Sequence, residues 1–333
     1  MATEPARFRP KAYPPPEFPP RRAPRFSRTP PAVFPVVLGS LGLVLALRRG
    51  LAALALPQAP ADLLAGLVLA LWVFAAVAYL GKMARRPGVV LDDLKVLPGR
   101  AGLAAGSAGM LAVAALLVPY APGLARWVLL AGLAVHGALA LALLSVLARM
   151  PAEGRGVNPG WHLAFVGFII GGLAAVPLGM EVLARGLLWA TLPVAGLIWG
   201  ISLAQLLRRN PPAPLRPMLA IHVAPAALFS LVAGMTGQPV LALGFAAMAL
   251  VMALALLVAG RWVAESGFSP LWGAFTFPLT ALAAALLALD GVFVWAGMAT
   301  LAVALGFVPF VLWRVVKLWP GGQLAAKTNA AAA

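Results

Sequence analysis

The chain has 333 residues, 62% of them hydrophobic and 10% charged, and its 34 glycines bring the uncharged, bilayer-compatible share above 70%. Soluble domains carry roughly 45–50% apolar and 25% charged residues, so this sequence has too little polar surface to cover itself in water, which excludes most cytosolic enzyme folds. The formal charge of +16 belongs to a membrane protein's loops, where it sets orientation or meets anionic lipid rather than nucleic acid.

Residues 1–31 hold ten prolines and seven basic residues without apolar periodicity, which predicts a disordered, partly polyproline cytoplasmic arm. This arm lacks the compact apolar run and cleavage site of a secretory signal and is expected to stay attached. Ten apolar stretches follow: Val33–Leu47, Asp62–Met83, Gly99–Val118, Leu124–Ala148, Pro159–Leu178, Leu187–Leu207, Pro217–Gly234, Val240–Val258, Pro270–Leu289 and Val292–Leu318. A spanning helix uses about 20 apolar residues, so an all-α integral membrane domain of ten transmembrane helices is expected over residues 32–320. The long continuous runs argue against an outer-membrane barrel. Residues 321–333 read as a loose cytoplasmic tail.

The odd-numbered stretches begin near positions 33, 99, 159, 217 and 270, a weak fivefold repeat of about one helical hairpin each. Pro98, Pro159, Pro217 and Pro270 open four of them, and Pro35 lies in the first turn of the other. Interior breakers recur as well, at Gly102, Gly106, Gly109, Gly167, Gly171, Gly172, Pro225 and Pro278. Bent backbone is tolerated at membrane depth only where protein or a water-filled path covers it, so the odd stretches are expected to be the inner helices. With ten spans, 21 basic residues fall on one side and four on the other. The positive-inside rule then makes both termini cytoplasmic.

Ionisable residues are scarce within these stretches, which disfavours active coupling. His136, His162 and His222 are spread along the chain with no second ligand nearby, so no metal site is expected and backbone or interhelical hydrogen bonding is favoured for all three. His222, three residues before Pro225, is the one placed to face a pathway and titrate near neutral pH. Cysteine is absent, which removes disulfides, thiolate metal sites and cysteine nucleophiles. The Gly106-Ser107-Ala108-Gly109 run lacks a base for a serine nucleophile and reads as close helix packing. In Ser269–Thr280, Phe277 precedes Pro278 among small residues. If its ring projects inward at the kink it would plug a narrow pathway; ordinary aromatic packing between helices is the alternative.

Phe275-Thr276-Phe277-Pro278, Val223-Ala224-Pro225-Ala226 after Arg216, and Phe34 with Leu38-Gly39 resemble the tellurite-resistance/dicarboxylate transporter family. That family includes a bacterial tellurite-resistance protein and the plant slow-type anion channels, and the resemblance covers residues 33 to 319. It implies ten helices in five hairpins, in quasi-fivefold arrangement around a central pore, usually as a homotrimer. It also implies a pore-occluding phenylalanine at Phe277.

The resulting expectation is a passive anion channel or uniporter for chloride- or nitrate-like anions, gated by Phe277, without cofactor or catalysis, and linked to tellurite resistance. Phe34, Gly39, Ser40, Gly106, Gly167, His222, Pro225, Phe275, Thr276, Pro278 and Thr280 are its pore-lining or kink candidates. Abundant Ala, Leu, Gly, Pro and Arg suggest a GC-rich bacterial genome, and a bacterial inner membrane is the expected location. The alternative is a proton-coupled carrier of dicarboxylates or tellurite-related oxyanions, working through His222, and a nontransporting scaffold is a third class.

Overall fold

Backbone N–H and C=O groups in hydrocarbon must be satisfied within their own segment, and the long Leu-, Ala- and Val-rich runs accordingly form helices. The computed structural model describes Pro24 and residues 26–333, so most of the arm expected over residues 1–31 lies outside the described residues. Among the described residues, nine helices are long and apolar enough to cross a membrane: α1 (Pro31–Ala53), α2 (Ala59–Arg85), α4 (Leu97–Leu117), α5 (Pro122–Arg149), α7 (Glu181–Arg208), α8 (Ala213–Met235), α9 (Pro239–Val258), α11 (Pro270–Leu287) and α12 (Val292–Val316). The chain is a multi-pass membrane protein.

The expected fifth stretch is shorter than the others. It forms α6 (His162–Ala175), π-helical over His162–Val166, 3-10 over Gly167–Gly171 and α-helical only over Gly172–Ala175. Three glycines in six residues weaken the α-helix there. A 3-10 rise of about 2.0 Å per residue lengthens the segment relative to an α-helix of the same residue count. Three short α-helices also form among the described residues: α3 (Val89–Lys95), α10 (Gly260–Val263) and α13 (Gln323–Lys327).

Burial divides the long helices into two sets. In α1, α4, α8 and α11, 67–83% of the most apolar window is buried, against 17–28% in α2, α5, α7, α9 and α12. The second set carries the exposed large apolar side chains, among them Leu63, Trp127, Val182, Val240 and Trp295, as a lipid-facing surface requires. Each buried helix pairs with the exposed helix that follows it: α1 with α2, α4 with α5, α6 with α7, α8 with α9 and α11 with α12. The buried helices also pack in succession, α1 on α4, α4 on α6, α6 on α8 and α8 on α11, and α11 returns to α1. Three hairpins turn on a glycine at positive φ, Gly179, Gly237 and Gly291, where a side chain would be strained.

Glycine allows the close approaches within the inner set. A Cβ on Gly39 would overlap Thr276, one on Gly102 would overlap the Pro31 carbonyl, and one on Gly172 would lie 2.7 Å from Val232. Without a hydrophobic effect between helices in lipid, such van der Waals contact is what joins them. Interior prolines are not confined to the inner set, however: the outer α7 and α12 contain Pro193 and Pro309. Burial separates inner from outer helices more cleanly than proline does.

The described end of the N-terminal arm and the C-terminal tail both pack against the helices. Pro30, Pro31 and Ala32 are buried, and Thr29 Oγ1 donates to the Ala78 carbonyl. At the other end Leu324 is buried and Thr328 is 3% exposed. The tail composition gave no sign of this, because polar backbone contacts hold it. Ala331 N donates to Asp93 Oδ1 at 2.8 Å, and Arg86 Nη1 donates to the Ala332 carbonyl at 2.8 Å.

Candidate functional site

Pro278 lies inside α11, where its missing N–H leaves one turn of the helix without its hydrogen bond. Phe277 is 5% exposed. Its ring lies against α1, where a Cβ on Gly42 would sit 3.0 Å from Phe277 Cδ2. Across the ring is a cavity of about 20 Å³, roughly one water by that measure, lined by Phe277 with residues of α6 and α8, including His162, Gly167, Ile221 and Pro225. Phe277 thus fills the space between three inner helices and leaves almost none open.

A second cavity, of about 30 Å³, lies where the inner helices start. All five contribute to its wall, through Pro35, Ala101, Leu163, Ile221 and Ala274, and Thr328 of the C-terminal tail completes it. The tail is anchored beside this mouth by Asp93. Asp93 Oδ2 accepts from Lys82 Nζ at 2.7 Å and from the Tyr79 hydroxyl at 2.9 Å, and Lys82 Nζ also donates to the Thr29 carbonyl. Both charged side chains are fully buried. Lys82 and Asp93 are 11 residues apart in the sequence and carry no signal of this pair, since the partners meet only when α3 folds under the end of α2.

On the opposite side, Arg48 pairs with Asp62 at 3.1 Å and donates to the Tyr120 hydroxyl, with its guanidinium 5.0 Å from that ring. Burial, reinforced by the Asp62 carboxylate accepting its hydroxyl, pushes the Tyr120 phenol up. Arg49, the next residue, makes no hydrogen bond or ion pair among the described residues.

The remaining candidates divide by the direction they face. Gly167 and Pro225 line the Phe277 cavity. Thr276 Oγ1 donates to the Gly273 and Pro35 carbonyls, Thr280 Oγ1 to the Phe277 carbonyl, and Ser40 Oγ to the Val36 carbonyl, so these hydroxyls serve the helix backbones. Gly39 faces Thr276 in the α1–α11 contact. Phe34 packs edge-on to Tyr79 at 6.1 Å and against Gly106, between α1, α2 and α4. Phe275 faces away from the Phe277 cavity, into an apolar groove of about 350 Å³ that Pro278 also lines, with Trp272 at 5.8 Å and Phe307 at 6.2 Å.

Two of the three histidines meet in an interhelical hydrogen bond, the kind of contact favoured for them from the sequence. His162 Nε2 and His222 Nδ1 are 2.9 Å apart, joining α6 to α8, and Trp199 Nε1 donates to the His222 carbonyl. The signal was their separation of 60 residues, close to the hairpin repeat, which gives them similar depth on neighbouring inner helices. His136 Nδ1 lies 2.7 Å from Ser107 Oγ, so the base missing from the serine run is present. A nucleophile site is not implied: His136 is fully buried, with its ring against Gly167, which leaves no room for a substrate at the base.

None of the curated proteins matches the chain. A family model described as voltage-dependent anion channel, SLAC1, matches residues 28–318, which takes in every long helix and the whole inner set. The chain therefore belongs to the voltage-dependent anion channel family, the group of anion channels and transporters to which the Phe-Thr-Phe-Pro and Val-Ala-Pro-Ala runs pointed.

Proposed function

We propose that the chain is a passive channel or uniporter for small monovalent anions such as chloride and nitrate, with Phe277 as the side chain that closes the pathway. In this reading α6 is a tenth crossing, and ten helices form five hairpins in quasi-fivefold order around the pathway. Support comes from the closed succession of inner-helix contacts and from the buried ring of Phe277 between α1, α6 and α8. The Phe277 ring is the observation that carries the reading. An apolar ring across a narrow passage blocks ions by excluding the water they need. No Lys, Arg, Asp or Glu lines the cavity beside it, so selection would rest on the ease of dehydrating an anion rather than on a fixed counter-charge.

Both termini would be cytoplasmic in a bacterial inner membrane, with the basic side inward and a homotrimer as the assembly; native mass spectrometry tests the last point. Flux through proteoliposomes tests the function. Phe277→Ala is expected to pass chloride and nitrate faster than the unmodified chain, and equal slow flux in the two folded proteins would contradict the assignment.

A proton-coupled carrier of dicarboxylates or tellurite-related oxyanions is the second reading, favoured by ionisable side chains at depth on α6 and α8. It requires flux that saturates with substrate and is driven uphill by a pH gradient.

A further inference from the structure

His162 is 2% exposed, lines the cavity closed by Phe277, and hydrogen-bonds across the α6–α8 boundary to His222. It sits in the π-helical turn that opens α6, a local departure from α-helix of the kind often found at functional positions. The outer nitrogens of the two rings, His162 Nδ1 and His222 Nε2, are buried and have no hydrogen-bond partner among the described residues. An unpartnered nitrogen on each of two bonded rings, one of them in the wall of a small cavity, is costly in a protein interior and calls for an occupant.

Tautomer chemistry specifies what the pair can do. With both rings neutral, one nitrogen of the central bond carries hydrogen and the other accepts it. Each ring has only one N–H, so one outer nitrogen is then a donor and the other a bare lone pair. Adding one proton from water fills that lone pair. The central bond survives as a charge-assisted one, no covalent bond between heavy atoms changes, and both outer nitrogens become donors on a pair with a single positive charge. An anion suits this state and not the neutral one.

We propose that His162, in the wall of the pathway beside Phe277, and His222, bonded to it, form a single proton-accepting site, and that the cavity-lining ring holds a small monovalent anion when the pair carries the additional proton. The inference rests on the anion-pathway reading above and adds to it a ligand subsite and an acid dependence. The proton stays on the pair as anions pass, so conduction is modulated by pH without proton transport.

Other titratable groups on the packed elements do not reach the pair. Arg100 on α4 donates to the Leu94, Lys95 and Gly154 carbonyls, and Arg216 at the start of α8 is engaged with Glu265 and the Pro211 and Trp262 carbonyls. His136 on α5 is bonded to Ser107, and Glu181 and Arg185 pair with each other at the first turns of α7. Arg208, Arg261 and Arg314, on α7, α10 and α12, lie near helix ends, and none hydrogen-bonds either ring.

The test uses the full chain in proteoliposomes, with Phe277→Ala as background so that closure does not mask the effect. Nitrate flux is measured between about pH 8 and about pH 5, the range in which imidazole titrates. Flux is expected to rise at least about fivefold toward acid, the lower end of usual coupling between two ligands. His162→Asn and His222→Asn should each flatten that dependence, and His136→Asn should leave it intact. Unchanged pH dependence in both pair variants, or concentrative nitrate uptake driven by a pH gradient alone, would overturn the proposal.

A second measurement needs no substitution and no flux. By linkage, an anion that prefers the protonated pair must raise its proton affinity. In the unmodified protein labelled with ¹⁵N-histidine, the titration midpoint of two of the three histidines should move upward when nitrate replaces a large impermeant anion. Midpoints that ignore nitrate would refute the subsite. If Phe277→Ala carries no flux but the midpoints shift, the gate assignment fails and the subsite stands.

Discussion

Two small cavities, one at Phe277 in the centre and one at the mouth formed by the starts of the inner helices, are surrounded by opposite chemistry. At the centre, Phe277 presses an aromatic ring against Gly42 in surroundings without Lys, Arg, Asp or Glu. At the mouth, five inner helices converge on a space completed by Thr328, and the tail that bears Thr328 is tied down through a fully buried Lys82–Asp93 pair. Apolar closure at the centre needs shape alone and can be relieved by removing atoms. Closure at the mouth depends on paired charges and backbone hydrogen bonds, so a single lost partner disturbs stability and packing together.

The largest effect on stability is expected at the mouth. Asp93→Ala leaves Lys82 buried and uncompensated, which costs about 3–5 kcal/mol; thermal unfolding in detergent should show a clear drop, and an unchanged midpoint would show the pair to be solvated. At the centre, Gly39→Ala forces a methyl group into Thr276 at the α1–α11 contact. Overpacking of this kind costs about 1–3 kcal/mol, read by the same assay.

A third comparison concerns access. Because the native chain has no cysteine, a single Ala274→Cys reports the mouth without background. Deleting residues 323–333 should speed its reaction with a water-soluble thiol reagent several-fold, and an unaltered rate would mean that the tail does not cover the mouth.

The smallest effect is expected at half-buried Asp92, where the hydrogen bond from Lys95 holds the carboxyl below the usual range. A lowered folded value means that this contribution is present above the ordinary carboxylate range and lost as pH falls through the lowered one. Asp92→Asn should therefore reduce stability slightly at neutral pH and not at strongly acidic pH.

Helical class, hairpin spacing and the identity of most inner helices were legible because lipid leaves few options for a long apolar run, and the Pro and Gly openings mark the buried set. Phe277 was legible as a residue beside a kink, but its direction was not: Phe275, two positions earlier, shares its composition and neighbours and faces the outer groove. Rotation about a helix axis decides between them, and Pro278 in α11 and the π turn of α6 are departures from a regular helical period. The His162–His222 contact was hidden for the same reason. The docked tail was hidden because Ala and Thr side chains signal nothing by themselves, whereas their backbone atoms make the contacts with Asp93 and Arg86. Pro193 and Pro309 show the converse, breakers in outer helices that mark no pathway.

Single-channel recording of Phe277→Ala beside Phe275→Ala in a planar bilayer tests the central claim most directly. The account predicts chloride or nitrate current through Phe277→Ala and none beyond the unmodified chain through Phe275→Ala. Equal currents in the two folded variants, or current through Phe275→Ala alone, would contradict it.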